Sequence, residues 1–265
     1  MKKIHLIPVF LLGLSFSCKD SSQTISPSIL PVEVIDYDAQ MQDEVKNHPS
    51  INAPVVEQNR VKNIDVYMYR GLSAIVKYDY YTDGKIKSVG FSNDNPKEYL
   101  YKGDILTDNY AKKSYLLDNN GLAITLKDDD KVKFFYKDGF LLRTNVPNDL
   151  RFTYSTTGNL IKVIKGDESL NYFYTDYTNT IRQEVLKIQE YSNSIRDSFL
   201  GHYSTNLIKE ISYKGANVMT FEYEFDAQKR VKKITMNRLG YAGPINVKDK
   251  FLIGPPDVIV YNLSY

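Results

Sequence analysis

Few residues in this chain are of a type and spacing that could do chemistry. There is one cysteine, Cys18, and there are three histidines, His5, His48 and His202. A lone thiol cannot close an internal disulfide, and two scattered histidines beyond the first few residues cannot assemble a tetrahedral zinc site. A serine hydrolase would have to rest on His202, which has no nucleophile-elbow sequence near it. Asp79, Tyr81, Asp83 and Gly84 copy positions 1, 3, 5 and 6 of a calcium loop, but position 12 is Gly90, where a bidentate glutamate is required. Asp83-Gly84 is explained by a tight turn, and the acidic run Asp128-Asp129-Asp130 lacks ligand spacing. No metal and no cofactor are expected. The 32 acidic residues could include a glycosidase pair, yet no two are singled out by pattern.

Composition narrows the partners. The chain has 265 residues, with 34 Lys and Arg against 32 Asp and Glu, and loss of Lys2 and Lys3 with an N-terminal signal leaves the two signs equal. That balance excludes a general nucleic-acid partner. The 22 tyrosines and 12 phenylalanines stand beside no tryptophan at all. Tyrosine suits a half-buried sheet, because its ring packs while its hydroxyl stays near water.

The elements that would position these residues are short strands. The unit is clearest at Tyr80, where Gly84, Ile86 and Val89 follow at +4, +6 and +9. From Tyr154 the same places hold Gly158, Leu160 and Val163; from Phe225 they hold Lys229, Val231 and Ile234. Phe135 begins a weaker copy with Gly139, Leu141 and Thr144. Each reads as an aromatic strand, a polar turn and an aliphatic strand, and Asx-Gly turns between alternating runs are the strongest short-range hairpin signal. Spacing of about ten residues per strand predicts an all-β antiparallel meander of repeated hairpins, either an open curved sheet or a barrel. The +6 and +9 aliphatics differ by three, so either both sheet faces are covered or a bulge realigns them. In the last hairpin Phe221, Tyr223 and Phe225 share one face while Glu222 and Glu224 take the other. One interval breaks the rhythm: 180–192 is compatible with a strand or a helix, and a short helix is expected over Ser194–Leu200, ending at Gly201.

The N-terminus carries the address. Lys2-Lys3 precede an apolar run over Ile4–Leu14 that is too short to span a bilayer, and Ser15-Phe16-Ser17-Cys18 follows. This pattern resembles a bacterial lipoprotein signal of the Bacteroides type, although Ser15 stands where the usual lipobox has Leu. The resemblance implies cleavage after Ser17 and lipidation of Cys18. Cys18-Lys19-Asp20-Ser21-Ser22 is similar to the short Lys/acidic tag of surface-displayed lipoproteins, with one acidic residue where that tag has two or more. Three segments follow: 1–17 a signal peptide, 18–59 a flexible tether rich in Ser, Pro, Asn and Gln, and 60–265 the β domain. Within the tether, 32–45 could form a strand or a short helix.

The hairpins themselves, Tyr80 with Gly84-Lys85-Ile86 and Val89, and Phe225-Asp226 with Arg230-Val231 and Ile234, resemble the YD repeat of RHS-type surface proteins. Asp follows the aromatic only at Asp226, and Lys229 replaces the glycine. Signal, tether and hairpins together resemble a Bacteroides-type group of lipoproteins, which implies an antiparallel sheet with no catalytic residues to carry over. The function expected is a lipid-anchored, non-catalytic binding or structural module of the cell envelope, in the outer membrane and on the cell surface. Its partners are the membrane and a glycan or protein ligand, with Tyr78, Tyr80, Tyr154 and Tyr223 as candidate ligand-facing residues. The alternative is an envelope or glycan hydrolase using carboxylates that the sequence does not identify.

Overall fold

The computed structural model describes residues 37–68, 71–92, 96–145, 149–184, 194–195, 198–239 and 257–265. The signal, Cys18, the tether up to residue 36 and most of 180–192 lie outside the described residues. One α-helix, α1 (Tyr37–Asn47), precedes the strands. The first nine strands are β1 (Asn63–Met68), β2 (Gly71–Tyr80), β3 (Ile86–Phe91), β4 (Lys97–Lys102), β5 (Ile105–Asp108), β6 (Lys113–Leu117), β7 (Ala123–Leu126), β8 (Asp129–Lys137) and β9 (Phe140–Thr144). Next come β10 (Leu150–Tyr154), β11 (Leu160–Lys165), β12 (Glu168–Thr178) and the two-residue strands β13 (Gln183–Glu184) and β14 (Ser194–Ile195). A 3-10 turn at Ser198–Leu200 leads to β15 (Asn206–Tyr213), β16 (Ala216–Phe225), β17 (Val231–Arg238) and β18 (Asp257–Ser264).

Sixteen of these strands close into one antiparallel barrel, with β18 pairing β1 through Asn63↔Ser264 to Tyr67↔Val260. Only β13 and β14 stand apart, as a two-stranded ribbon. The expected meander is therefore present in its barrel form. Apart from β12, which pairs with β15 across the β13–β14 ribbon in sequence, consecutive strands are neighbours, which is what short polar turns enforce. The helix expected over Ser194–Leu200 shrinks to the 3-10 turn, because Ser194–Ile195 pair with Gln183–Glu184 instead.

The +6/+9 puzzle is resolved by bulges. In β2–β3 the register passes from Asp79↔Ser88 to Tyr80↔Ile86 and skips Lys87. The same slip skips Ile161 between β10 and β11, and Lys232 between β16 and β17. One extra residue restores the parity, so Ile86 with Val89, Leu160 with Val163 and Val231 with Ile234 all turn inward and are buried. A further copy at β6–β7 skips Ile124 and turns Leu117 and Ala123 inward; it lacks an aromatic residue and so escaped the sequence pattern.

These four hairpins share one turn. The residue at +4 donates its N–H to the carbonyl three back: Gly84 to Tyr81, Gly121 to Asp118, Gly158 to Ser155 and Lys229 to Asp226, at 2.9–3.0 Å. All four sit at positive φ, including Lys229 at 60°. The lysine thus replaces glycine in sequence but keeps its backbone conformation. The copy assigned to Phe135 differs. It closes on a two-residue turn, Asp138-Gly139, with Tyr136 rather than Phe135 opposite Leu141.

Strand order assigns every turn to one of two rims. The four-residue turns, Gly103-Asp104, Asp138-Gly139 and the 179–205 connection lie at the lower rim; the ends of β1, β3, β5, β7, β9, β11, β15 and β17 lie at the upper rim. A strap, residues 48–62, crosses the lower rim. Ile51 N–H binds Asp138 Oδ2 at 2.8 Å, Asn52 N–H binds Thr156 O at 2.8 Å and Asn59 N–H binds Thr180 O at 2.6 Å. The segment 198–206 joins it: His202 N–H donates to Gly139 O, Thr205 N–H to Gly158 O, and Phe199 packs on Tyr99 and Tyr115. On the outer wall α1 lies along β8, where Met41 is buried and Glu44 pairs with Arg143. The tether expected over 18–59 is corrected accordingly: from Tyr37 the chain belongs to the folded body, because Ile51 and Val61 join the apolar cluster and Met41 is buried beneath α1 on the outer wall.

A sixteen-stranded ring of round section would enclose a water-filled lumen. Here each of the sixteen strands sends at least one buried apolar side chain into a single cluster. The walls and the lower-rim segments must therefore meet in the middle.

Candidate functional site

Starting from the four tyrosines, the barrel uses each of them internally. Tyr78 and Tyr154 stand in the inward stripe and are buried. Tyr80 and Tyr223 are half-buried, and their hydroxyls reach backbone: Tyr80 OH donates to Val61 O at 2.7 Å, and Tyr223 OH to Ile208 O at 2.6 Å, with Gln183 Oε1 at 2.9 Å. Burial raises the Tyr223 pKa, and the bond to Gln183 only partly opposes this. No exposed aromatic platform is formed by these residues. Their alternation with Lys77, Asp79 and Glu222 sends the charges out and the rings in.

The hydroxyls follow a rule. Tyr136 OH donates to Ala123 O, Tyr174 OH to Leu160 O and Tyr265 OH to Val231 O, at 2.7–2.8 Å. Each acceptor is the first residue of a bulged strand, and each lies beyond the registered pairs to the following strand. The tyrosine on that following strand spans the gap. Phenylalanine could not, and tryptophan offers only a donor at a different reach.

Charged groups gather elsewhere. The inward stripe is apolar through the middle of the barrel and turns polar only near the upper rim. There Lys97 Nζ meets Asp108 Oδ2 at 3.0 Å, Lys214 Nζ meets Glu168 Oε1 at 3.1 Å, and Arg238 Nη2 meets Asp257 Oδ2 at 3.2 Å. Asp108 and Glu168 are buried, as is Lys165, which stands opposite Glu168 in the ladder. Asp108 Oδ1 also accepts the N–H groups of Tyr110 and Ala111, at 3.0 and 2.9 Å. Tyr213 OH donates to Glu168 Oε2, and burial followed by that bond raises the Tyr213 pKa. Lys214 is raised as well, first by its bond to Glu168. Asp108 and Glu168 thus each meet a lysine and further hydrogen-bond donors, an arrangement that fixes the side chains in place.

The sequence reading missed Lys97, Asp108, Lys165 and Glu168. A signal for three of them existed: Lys165 continues the period-two stripe of Val163, Glu168 that of Leu170 and Asp108 that of Leu106. The loop mimic at Asp79–Gly84 holds no ligand set. Asp79 Oδ2 accepts Ser88 Oγ–H, and Asp83 Oδ1 caps Lys85 N–H. Among the described residues no group of three or more His, Cys, Asp or Glu could hold a metal ion. His202 lies edge-on to the Phe140 ring and His48 Nδ1 sits 2.8 Å from Pro49 O.

On the outer wall Arg143 is a buried guanidinium. It donates to Asp149 through Nε and Nη2 at 2.8 and 3.0 Å and to Glu44 through Nη1 at 2.6 Å. Burial works against its charge, but Asp149 and Glu44 outweigh it and raise the pKa.

No family model matches the chain, and no curated protein matches it. Among solved structures it is similar to a porin-like protein from Bacteroides uniformis, with a TM-score of 0.54 and 14% identity, over 79% of this chain and 100% of that one. At that identity the likeness is one of fold.

Proposed function

We propose that this is a lipid-anchored envelope protein, held in the outer membrane through Cys18, whose barrel stands in water as a non-conducting, non-catalytic binding or structural module. The observation that carries this reading is the direction of the alternation. A barrel that spans a membrane turns apolar residues to lipid and polar ones to its lumen. In this one Ile64, Val76, Phe152 and Ile234 are buried inside, while the interleaved positions carry Asp65, Lys77, Arg151 and Lys233. Basic residues such as Lys77, Lys87 and Arg151 would each cost roughly 2–4 kcal/mol at a bilayer midplane. The porin-like neighbour supports the outline and an envelope setting; the interior filled by side chains speaks against a channel. The paired state of the upper-rim carboxylates favours binding over hydrolysis, since among the described residues no acid and base converge on a shared space.

Two measurements test it. The chain without residues 1–17 should stay folded in buffer without detergent and give no conductance steps in planar bilayers. A need for detergent together with conductance would overturn the reading. In cells Cys18→Ala should abolish palmitate labelling and release the protein from membranes, and unchanged labelling would remove the anchor.

A further inference from the structure

We infer that Arg60 and Arg182 form a phosphate-binding site at the lower rim, on the turn between β2 and β3; this deepens the binding-module reading above by naming the chemistry of the ligand. Arg60 lies near the end of the strap and Arg182 just before β13, far apart in the chain, yet both reach the same turn. Arg60 Nη2 donates to Thr82 O at 3.4 Å, and Arg182 Nη1 donates to Gly84 O at 3.2 Å. Gly84 leaves room for this convergence, since a Cβ there would stand 3.2 Å from Arg60 Nη2 and crowd the guanidinium. The Cβ position and the carbonyl oxygen of one residue are about 3 Å apart, which puts the two terminal nitrogens within about 9 Å of each other. Small side-chain rotations bring both onto one oxyanion.

What the two cations lack is a counter-charge. Among the described residues Arg143, Arg151, Arg230 and Arg238 each meet a carboxylate, whereas Arg60 and Arg182 meet only turn carbonyls and an aromatic ring. A guanidinium has five N–H donors, and those carbonyls take one from each. The turn's own acid is already engaged: Asp83 Oδ1 accepts the Lys85 N–H, and Oδ2 pairs with Lys85 Nζ at 3.1 Å. Arg182 is also held at a cost. Its φ is +57°, in the left-handed region where glycine and asparagine are usual, and its guanidinium lies 5.8 Å from the centre of the Tyr203 ring. Strain of this kind gathers at ligand clamps. Two fork-shaped donors aimed at one place suit a phosphate monoester, which carries close to two negative charges and three acceptor oxygens. A planar carboxylate satisfies one fork and leaves the other. A soluble sugar phosphate and a lipid headgroup both offer the monoester, and the test separates them.

Calorimetric titration of the chain from Cys18 onward with glucose 6-phosphate, at low salt, should show one site for which acetate does not compete. Arg182→Gly and Arg60→Gln should each weaken binding about tenfold or more, while Lys229→Gly, which removes a lower-rim cation from another turn, should leave it unchanged. Glycine suits the left-handed backbone at 182, so the urea midpoint of Arg182→Gly should stay level and its loss of binding is not a loss of fold. Co-sedimentation with phosphatidylcholine vesicles carrying phosphatidic acid is the second arm. Sedimentation that both arginine variants abolish, without a response to glucose 6-phosphate, gives the same site a lipid phosphate. Binding of neither phosphate, equal binding by the arginine variants and the parent chain, or an equal loss in Lys229→Gly would overturn the site. Conductance, detergent requirement and palmitate labelling do not enter these readouts, so a failure here is distinct from a failure of the module reading.

Discussion

The turn glycines separate two costs that are usually confounded. Gly121 and Gly158 occupy the same place in the same hairpin turn, at φ +78° and +84°. A Cβ at Gly121 would meet nothing within 4 Å, whereas at Gly158 it would fall 2.6 Å from Ala53 Cβ and 2.9 Å from Phe140 Cζ and Thr205 Oγ1. An L-residue in the left-handed region costs about 1–2 kcal/mol, partly offset by about 0.4–1 kcal/mol from a stiffer unfolded chain. Gly121→Ala should therefore cost about 1 kcal/mol. Gly158→Ala adds overpacking against the strap and against segment 198–206, another 1–3 kcal/mol or so. Lys229→Gly runs the other way, relieving the strain at φ +60° for a gain of about 0.5 kcal/mol or less. Urea unfolding of the three variants, read as midpoint shifts at constant slope, measures these terms. Ala53→Gly added to Gly158→Ala should recover part of the extra loss. Equal losses at Gly121 and Gly158 would refute the seating of residue 53 on that hairpin.

Further tests follow from the clamp, the latches and the phenols. Starting the chain at Tyr37 should leave the melting temperature unchanged, but starting it at residue 60 removes the buried Met41 and Ile51 and should cost at least about 3 kcal/mol. Tyr174→Phe deletes the bonds to Leu160 O and Ser204 and should cost about 1–2 kcal/mol in the same urea assay, whereas Tyr110→Phe, on an exposed ring, should be neutral. Burial raises the phenols of Tyr115, Tyr213, Tyr223 and Tyr265, the last to about 12. Because the folded values lie above the ordinary 10.0, their contribution is whole below that pH and is lost as pH rises toward 12 and beyond. Stability should stay level up to about pH 10 and then fall; a decline beginning near neutrality would show that other groups govern it. The Glu224 carboxyl is held low, first by Lys233 and then by Lys232. Its NMR titration midpoint should rise in 1 M salt, while that of Asp226, whose lowering despite desolvation comes first from the Arg230 backbone N–H, should move less.

What the sequence made legible was the local unit. The +4, +6 and +9 positions around Tyr80, Tyr154 and Phe225 mark a turn and two inward aliphatics because turn chemistry and side-chain parity act within a dozen residues. The bulge was visible as a conflict of parity, though not as its solution. Closure was not legible: nothing in Asn63–Met68 names Asp257–Ser264 as a partner, since both strands are compatible with any antiparallel neighbour. The strap was hidden for another reason. Residues 48–62 carry Pro49, Pro54, Asn52 and Asn59, the composition of a linker, but the N–H groups of Ile51, Asn52 and Asn59 bond to groups of the lower rim. The four tyrosines chosen as ligand-facing were chosen for type. Their inward parity, which Glu222 and Glu224 already indicated for Tyr223, was the better guide.

The tyrosine latches also give the barrel an order of assembly. Tyr80 reaches back to Val61, Tyr136 to Ala123, Tyr174 to Leu160, Tyr223 to Ile208 and Tyr265 to Val231. In each case the donor comes later in the chain than its acceptor. As the polypeptide emerges from its amino end, each of these five tyrosines fastens a segment already made, whereas Tyr81, whose hydroxyl donates to Tyr99 O on the later β4, runs the other way. Tyr265 directly follows β18, so its latch is set just as β18 arrives to close on β1, and the latch and the seam belong to the same few residues.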